Sequence, residues 1–424
     1  MKRIVLFGAG KSSTSLIDYL LSECAQHDWR LTVADGHAES ILTKIGDSSF
    51  AEGLVMNIEN AELRKQVIHE SDLVISLLPP AFHHLVARDA LQFNKNLLTA
   101  SYIDEIIRQM AGEIEKKKLF FLCEMGLDPG IDHMSAMQLV HRIHQGKGKI
   151  LSFRSHTGGL VAPESDDNPW HYKISWNPRN VVLAGSSGAI YKENDQIIKK
   201  NYDEVFADCG QIEVAGLGKL AFYPNRDSLP YIPLYSLEES STFIRTTLRY
   251  PAFCENWKHL VNAGLTNDQG LLPVGIETIK QWSSPMLPFI TEQNMNYFSF
   301  LGLFDDLPIP KTAKTSADVL QGLLESRLKM LELDKDMIVM LHEIEYQEGA
   351  DVHSLESSLV IKGQNIRHTA MAKTVGLPLG IAAKLILEGK LSLSGLHIPV
   401  LPQIYEPVLR ELESLGFRFH ETLN

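Results

Sequence analysis

The sequence predicts an α/β protein: a parallel sheet covered on both faces by helices, followed by a larger mixed α+β domain. Three observations carry this expectation. Short apolar runs alternate with amphipathic stretches through the first third of the chain, the first run ends in a glycine turn that opens a helix, and prolines and aromatics become denser after residue 130. Strand–helix alternation of this kind builds a parallel sheet with helices on both sides.

The first run, residues 3–7, is followed by Gly8-Ala9-Gly10-Lys11-Ser12-Ser13 and by an amphipathic stretch with Leu16, Ile17, Leu20 and Leu21 on one face. A second strand, 31–34, ends at Asp35, and further strands are expected at 53–57, 72–78, 96–100 and 119–123. Gly10-Lys11-Ser12 matches the tail of a nucleotide-triphosphate loop, but Val5 stands where that motif needs its first glycine. The dinucleotide reading needs glycines at the first and third positions after a strand, and Gly8 and Gly10 supply them. Gly8 permits the tight turn, and Gly10 lets the backbone approach a pyrophosphate at the helix N-terminus. Ser13 replaces the third glycine of this fingerprint. The first domain is therefore expected to be of Rossmann type. An acid at the end of the second strand accepts hydrogen bonds from a ribose 2′-hydroxyl and repels a 2′-phosphate. Asp35 thus favours NAD over NADP, a solvated loop acid being the alternative.

Composition narrows the partners. With 424 residues, 44% hydrophobic and 22% charged, the chain is long enough for two or three domains. A formal charge of −12 argues against nucleic-acid and lipid-surface partners, and an anionic small-molecule substrate would need a local arginine cluster. Arg226, Arg245 and Arg249 are the candidates, surface or structural roles being the alternative for each. The four cysteines are scattered, as expected of reduced thiols in the cytoplasm. The apolar run after Met1-Lys2-Arg3 is too short for a signal peptide, and no stretch is expected to match a membrane span of about 18 apolar residues. The His83-His84 pair lacks further ligands at suitable spacing, so no metal is expected.

Three strand ends carry the chemistry: Leu77-Leu78-Pro79-Pro80, Thr99-Ala100-Ser101-Tyr102, and Glu124-Met125-Gly126-Leu127-Asp128-Pro129-Gly130-Ile131-Asp132-His133. Ligands of open α/β sheets bind at such carboxyl edges. A purely structural turn with helix-capping acids is the alternative for the last of them. Leu78, Pro79, Ser101 and Leu127, with Lys11 and Ser12 of the glycine turn, complete the expected cofactor-facing set.

These strings, with Gly158-Gly159-Leu160 and Tyr223-Pro224-Asn225-Arg226-Asp227-Ser228, resemble saccharopine dehydrogenase of the glutamate-forming type. The resemblance runs through residues 3–257 and resumes at 336–388. It implies oxidation of the secondary amine of saccharopine, with the cofactor taking the hydride, and release of glutamate and 2-aminoadipate 6-semialdehyde. Asp128 would orient the amine or assist proton transfer, and Tyr102 would line the pocket. Arg226 and Arg245 would bind carboxylates, with Asn225, Thr157 and Trp176 as further substrate contacts. Two departures stand out: fungal members carry Tyr-Cys at His156-Thr157 and Cys-Arg at Ala34-Asp35. The second supports NAD and a degradative direction. His156 could act as a base or be a hydrogen-bonded structural histidine. Alternatives are an NADP-linked biosynthetic reductase, a carboxynorspermidine-type dehydrogenase, and a non-catalytic nicotinamide sensor.

The expected domains are 1–130 for the dinucleotide and 131–365 for substrate binding and dimerisation. The resemblance implies that 366–424 returns to the first and that the protein is a homodimer. Within the second domain, Val319, Leu320, Leu323, Leu324, Leu328 and Leu331 form a helical stripe expected to be core, an interface being the alternative. A hairpin is expected around Glu348-Gly349-Ala350-Asp351, and a break or kink in 369–388 at Gly376 and Pro378.

Overall fold

The computed structural model describes residues 1–423, which divide into two compact units. Met1–Arg142 with Arg367–Arg418 form the first, and Ile143–Ile366 with the residues from Phe419 onward form the second.

The first unit holds six strands in chain order: β1 (Arg3–Phe7), β2 (Arg30–Asp35), β3 (Ala51–Val55), β4 (Leu73–Ser76), β5 (Asn96–Thr99) and β6 (Phe120–Leu122). A seventh, Gly395–His397, pairs with β6. All pairings are parallel, in the order Gly395–His397, β6, β5, β4, β1, β2, β3. The central strands are continuous apolar runs because both faces are covered: Ile4, Val5, Leu6, Leu73, Val74, Ile75, Leu97 and Leu98 are all buried. The chain winds from β1 through β2 to β3 on one side and from β4 through β6 on the other. The switch point, where such sheets bind ligands, thus lies between β1 and β4. Glycine turn, strand ends and Asp35 all sit along this edge.

Helix Ala370–Leu387 corrects two expectations. It runs unbroken through Pro378, and its 18 residues have a mean hydropathy of 1.5, enough by length and composition to cross a membrane. It is nevertheless a core element, with 72% of that stretch buried. A Cβ on Gly376 would lie 2.7 Å from Leu16 N, and one on Gly380 2.6 Å from the Tyr19 ring. The two glycines therefore serve close packing against helix Thr14–His27 and do not interrupt the helix.

The second unit is a mixed sheet built from β7 (Lys149–Val161), β8 (Ala189–Glu193), β9 (Gln196–Lys200), β10 (Gly210–Val214), β11 (Gly218–Pro224), β12 (Arg226–Asp227), β13 (Thr242–Arg249), β14 (Asp336–Glu348) and β15 (Asp351–Lys362). The main path runs β10, β11, β13, β7, β14, β15 and then the strand His420–Leu423, with β8, β9 and β12 to one side. Among the described strands of this unit, β7 with β13 and β8 with β12 pair in parallel and the rest antiparallel. Glu348 faces Asp351 across a two-residue Gly349-Ala350 turn, and His420–Leu423 covers the edge of β15. An aromatic core of Trp170, Tyr172, Tyr223, Phe253, Trp257 and Phe298 fills one side. Of the expected stripe, Val319, Leu320, Leu324 and Leu328 are buried and Leu323 is partly buried in the same core. Leu331 is not: helix Ser316–Arg327 ends before it, and it stands 53% exposed.

Candidate active site

The glycine turn is dictated by its neighbours. Gly8 has φ of +107°, its N–H donates to Ala34 O at 2.9 Å, and a Cβ there would stand 2.6 Å from Leu77 O. Only glycine fits between β1 and the end of β4. A Cβ on Gly10, by contrast, meets nothing within 4 Å. The space above it is open, as a close approach of a phosphate to the backbone requires. Lys11-Ser12-Ser13 form one 3₁₀ turn that leads into helix Thr14–His27, so this helix's N-terminus faces the turn. Ser13, in place of the third glycine, turns its hydroxyl inward and donates to Gly10 O at 2.9 Å.

Asp35 braces the same turn from β2. Its Oδ2 accepts from Ala9 N at 2.7 Å, and its Oδ1 accepts from His37 N at 2.9 Å with the His37 ring 3.3 Å away. From the next helix, Lys44 Nζ donates to Ala9 O and Ser13 Oγ at 2.7 and 2.8 Å, and also to Gly10 O. Burial pulls the Lys44 ammonium down to about 8, against the opposing pull of Asp35. Sequence reasoning missed Lys44, because nothing within helix Ala38–Ile45 signals that one lysine reaches three oxygens of a turn some thirty residues earlier. The residues fit a dinucleotide pyrophosphate: an open helix N-terminus, a half-buried lysine bonded to the turn and a carboxylate fixed at the end of β2.

On the other side of the switch point, Leu78 is half-buried, Pro79 is exposed, and Ser101 and Tyr102 follow β5 as half-buried residues. Leu127 is buried in the loop after β6. In this loop Gly130 has φ of +149°, and a Cβ there would fall 2.1 Å from Gly126 O. Gly126 N donates to Pro129 O, and Ile131 N to Gly126 O, so the loop closes on itself before helix Ile131–Gln145. Two sequence-selected residues meet here: Tyr102 Oη donates to Asp128 Oδ1 at 3.2 Å. Glu124 ties their two loops together. Its Oε1 accepts from Ile103 N at 3.3 Å, and its Oε2 lies 2.9 Å from His133 Nε2 inside the unit. Glu124 and His133 stood within the sequence motif, but only the fold gives them this bracing role.

In the second unit the candidate arginines separate. Arg226 is exposed, with φ of +57°, at the start of β12. Asn225 N donates to Arg245 O at 2.9 Å, which places that segment beside β13. Arg245 is buried, its guanidinium 4.5 Å from the centre of the Tyr231 ring. Thr157 pairs with Thr247, and Ser155 with Arg245, in parallel register, so Thr157 and Arg245 share one face of the sheet. Trp176 donates its indole N–H to Tyr172 Oη at 3.1 Å and leans on the aromatic core. Arg249 belongs to that core: it donates to Leu248 O at 2.9 Å and lies over Tyr172 and Phe253 at 5.3 and 5.5 Å. It holds the structure rather than offering an exposed clamp. His156 is fully buried between Thr246 Oγ1 at 2.7 Å and Glu343 Oε2 at 2.8 Å, the hydrogen-bonded structural arrangement.

Comparison with known proteins covers nearly the whole chain. Residues 4–122 match the saccharopine dehydrogenase NADP binding domain, and residues 126–417 the saccharopine dehydrogenase C-terminal domain. Saccharopine dehydrogenase [NADP(+), L-glutamate-forming] of Saccharomyces cerevisiae is 32% identical over 97% of each chain. Alpha-aminoadipic semialdehyde synthase of Arabidopsis thaliana is 29% identical over 99% of this chain, which spans 44% of that relative's length. The solved structure of apo saccharopine dehydrogenase (L-Glu forming) from S. cerevisiae superposes with a TM-score of 0.89 at 30% identity, covering all of both chains. Glycine turn, strand-end motifs and whole-chain likeness agree: the chain belongs to the saccharopine dehydrogenase family.

Proposed function

We propose that this protein is an NAD-linked, glutamate-forming saccharopine dehydrogenase working in the oxidative direction. The observation that carries the cofactor choice is Asp35, held against the glycine turn by Ala9 N–H. A carboxylate fixed there accepts ribose hydroxyls and opposes a 2′-phosphate. When bound, the nicotinamide accepts the hydride from the carbon beside the secondary amine.

The chain's residues do the rest. Asp128, oriented by the hydrogen bond from Tyr102, would hold or receive a proton at the substrate nitrogen. Loss of hydride and proton leaves an imine. Water adds to the imine carbon, the carbon–nitrogen bond breaks, and glutamate and 2-aminoadipate 6-semialdehyde result. Arg226 and Arg245 bind carboxylates of this polyanionic substrate, which a chain of net charge −12 otherwise repels.

A second reading, NADP-linked and biosynthetic, has its own support. The S. cerevisiae relative is named for NADP(+), and cationic Lys44 and imidazole-bearing His37 flank Asp35. One assay separates them: the purified chain with saccharopine and either cofactor, followed by reduced-cofactor absorbance. Turnover favouring NAD is expected. Turnover with NADP alone removes the role given to Asp35, and no turnover by folded protein with either rejects the activity.

A further inference from the structure

The paired histidines at 83 and 84 have no part in the reaction just described. Yet His83 is among the most tightly held side chains at the sheet edge. It opens helix His83–Gln92, after the Pro80–Phe82 turn that follows Leu78-Pro79, and is only 3% exposed. Ser76 Oγ, at the end of β4, lies 2.8 Å from its Nδ1, and Ser101 Oγ, just past β5, lies 2.7 Å from its Nε2. Thr99 Oγ1 stands 3.4 Å from Nδ1. One imidazole therefore links the ends of both strands on the β4 side of the switch point.

We propose that His83 is a positioning residue for the nicotinamide half of the cofactor, acting through Ser101. The inference rests on the dinucleotide reading of the first unit. The glycine turn after β1 takes the pyrophosphate and the end of β2 takes the adenine-side ribose, so the other half of the molecule extends over the ends of β4 and β5. Ser101 is half-buried there, and a serine hydroxyl left to itself rotates among three staggered wells. Bonded to His83, it holds one. Burial draws the imidazole down to about 4, so the ring stays neutral at working pH and keeps one donor and one acceptor nitrogen. A neutral ring can bond a hydroxyl on each side without placing a charge beside a positively charged nicotinamide.

The test is a binding measurement on the full chain with two probes, NADH and ADP-ribose, the latter lacking the nicotinamide. His83→Gln is expected to weaken NADH about tenfold (~1.4 kcal/mol) and to leave ADP-ribose within about twofold. In turnover, the KM for NAD rises by a similar factor while kcat changes little. Ser101→Ala, which leaves the histidine in place, is expected to reproduce the selective loss, and the double variant to lose no more than either single. Should His83→Gln fail to fold, Ser101→Ala reads the same contact. Equal weakening of both probes, or none, overturns the inference while leaving the functional reading intact. Failure of the unaltered chain to bind NADH overturns both.

Discussion

The carboxyl edge of the first unit and the arginine-bearing strands of the second were both marked by sequence, and they turn out to be built differently. At the first, the marked residues lie at or just past strand ends, and the turns that carry them are fixed by backbone geometry. Gly8 sits under Leu77 O, Ala9 is held by Asp35, and Gly126 and Gly130 fold the loop that carries Asp128. In the second unit, three arginines of similar sequence appearance have three fates: exposed at 226, stacked on Tyr231 at 245, sealed in the aromatic core at 249. Position at a strand end follows from local pattern. The direction a mid-strand side chain faces, and what covers it, depends on register with strands far away in sequence.

The largest effect should come from the edge of the first unit. Asp128→Asn keeps the shape and the Tyr102 contact but removes the proton acceptor. It should lower kcat by about 10²–10⁴ in saccharopine oxidation, with NAD affinity unchanged. Equal loss of cofactor affinity would show that the loop, rather than the carboxylate, had been damaged. Tyr102→Phe then tests the same hydrogen bond from its other end.

The arginines offer the opposite contrast, since their substitutions should part activity from stability. Arg226→Ala should raise the KM for saccharopine by about tenfold or more, the loss of one charge-assisted contact, with an unchanged melting temperature. Arg249→Ala should do the reverse, losing about 3 kcal/mol of stability because it empties a large buried side chain among Tyr172, Tyr223 and Phe253. If Arg249→Ala unfolded at the normal temperature but failed to bind substrate, the division between the two residues would be wrong.

What sequence could reveal follows the same line. Alternation of apolar runs with amphipathic stretches located six of the parallel strands to within a few residues, because central strands buried on both faces are apolar throughout; the short strand Gly395–His397 was not foreseen. The hairpin at Gly349-Ala350 was equally visible, a two-residue turn between alternating runs. The helix over 369–388 was legible too, but its continuity was not. Gly376 and Pro378 carry the local signature of interruption, whereas Gly376 and Gly380 serve close packing against Leu16 and Tyr19 of another helix, a contact that local pattern does not show. Leu331 failed for a related reason, since the helical period of its stripe outlasts the helix itself. Lys44 and His83 were invisible as site residues because their roles consist of bonds to oxygens on other strands and turns.

Lys44 also gives the smallest and most specific of the expected effects, one that only the edge of the first unit should show. Its ammonium lies against Ala9 O and Ser13 Oγ beneath the turn, and burial lowers it to about 8; Asp35 and Asp18 act against that shift, and Arg367 adds to it. Below that pH the cation adds attraction for a pyrophosphate. As pH rises through about 8 the charge is lost, so affinity for NADH should fall severalfold between pH 7 and 9, and binding above pH 8 should take up a proton. The stability sign is opposite. Between about 8 and about 10.4, the ordinary lysine value, the unfolded chain binds more protons than the folded one, so the group's contribution to stability grows with pH in that window. Lys44→Met should therefore weaken NADH binding about fivefold at pH 7 and flatten its dependence on pH, while saccharopine affinity stays as before. A variant that weakened binding but kept the slope would place the titrating group elsewhere. Lys44 would then be a brace of the turn alone, and the two regions would differ only in how they are held.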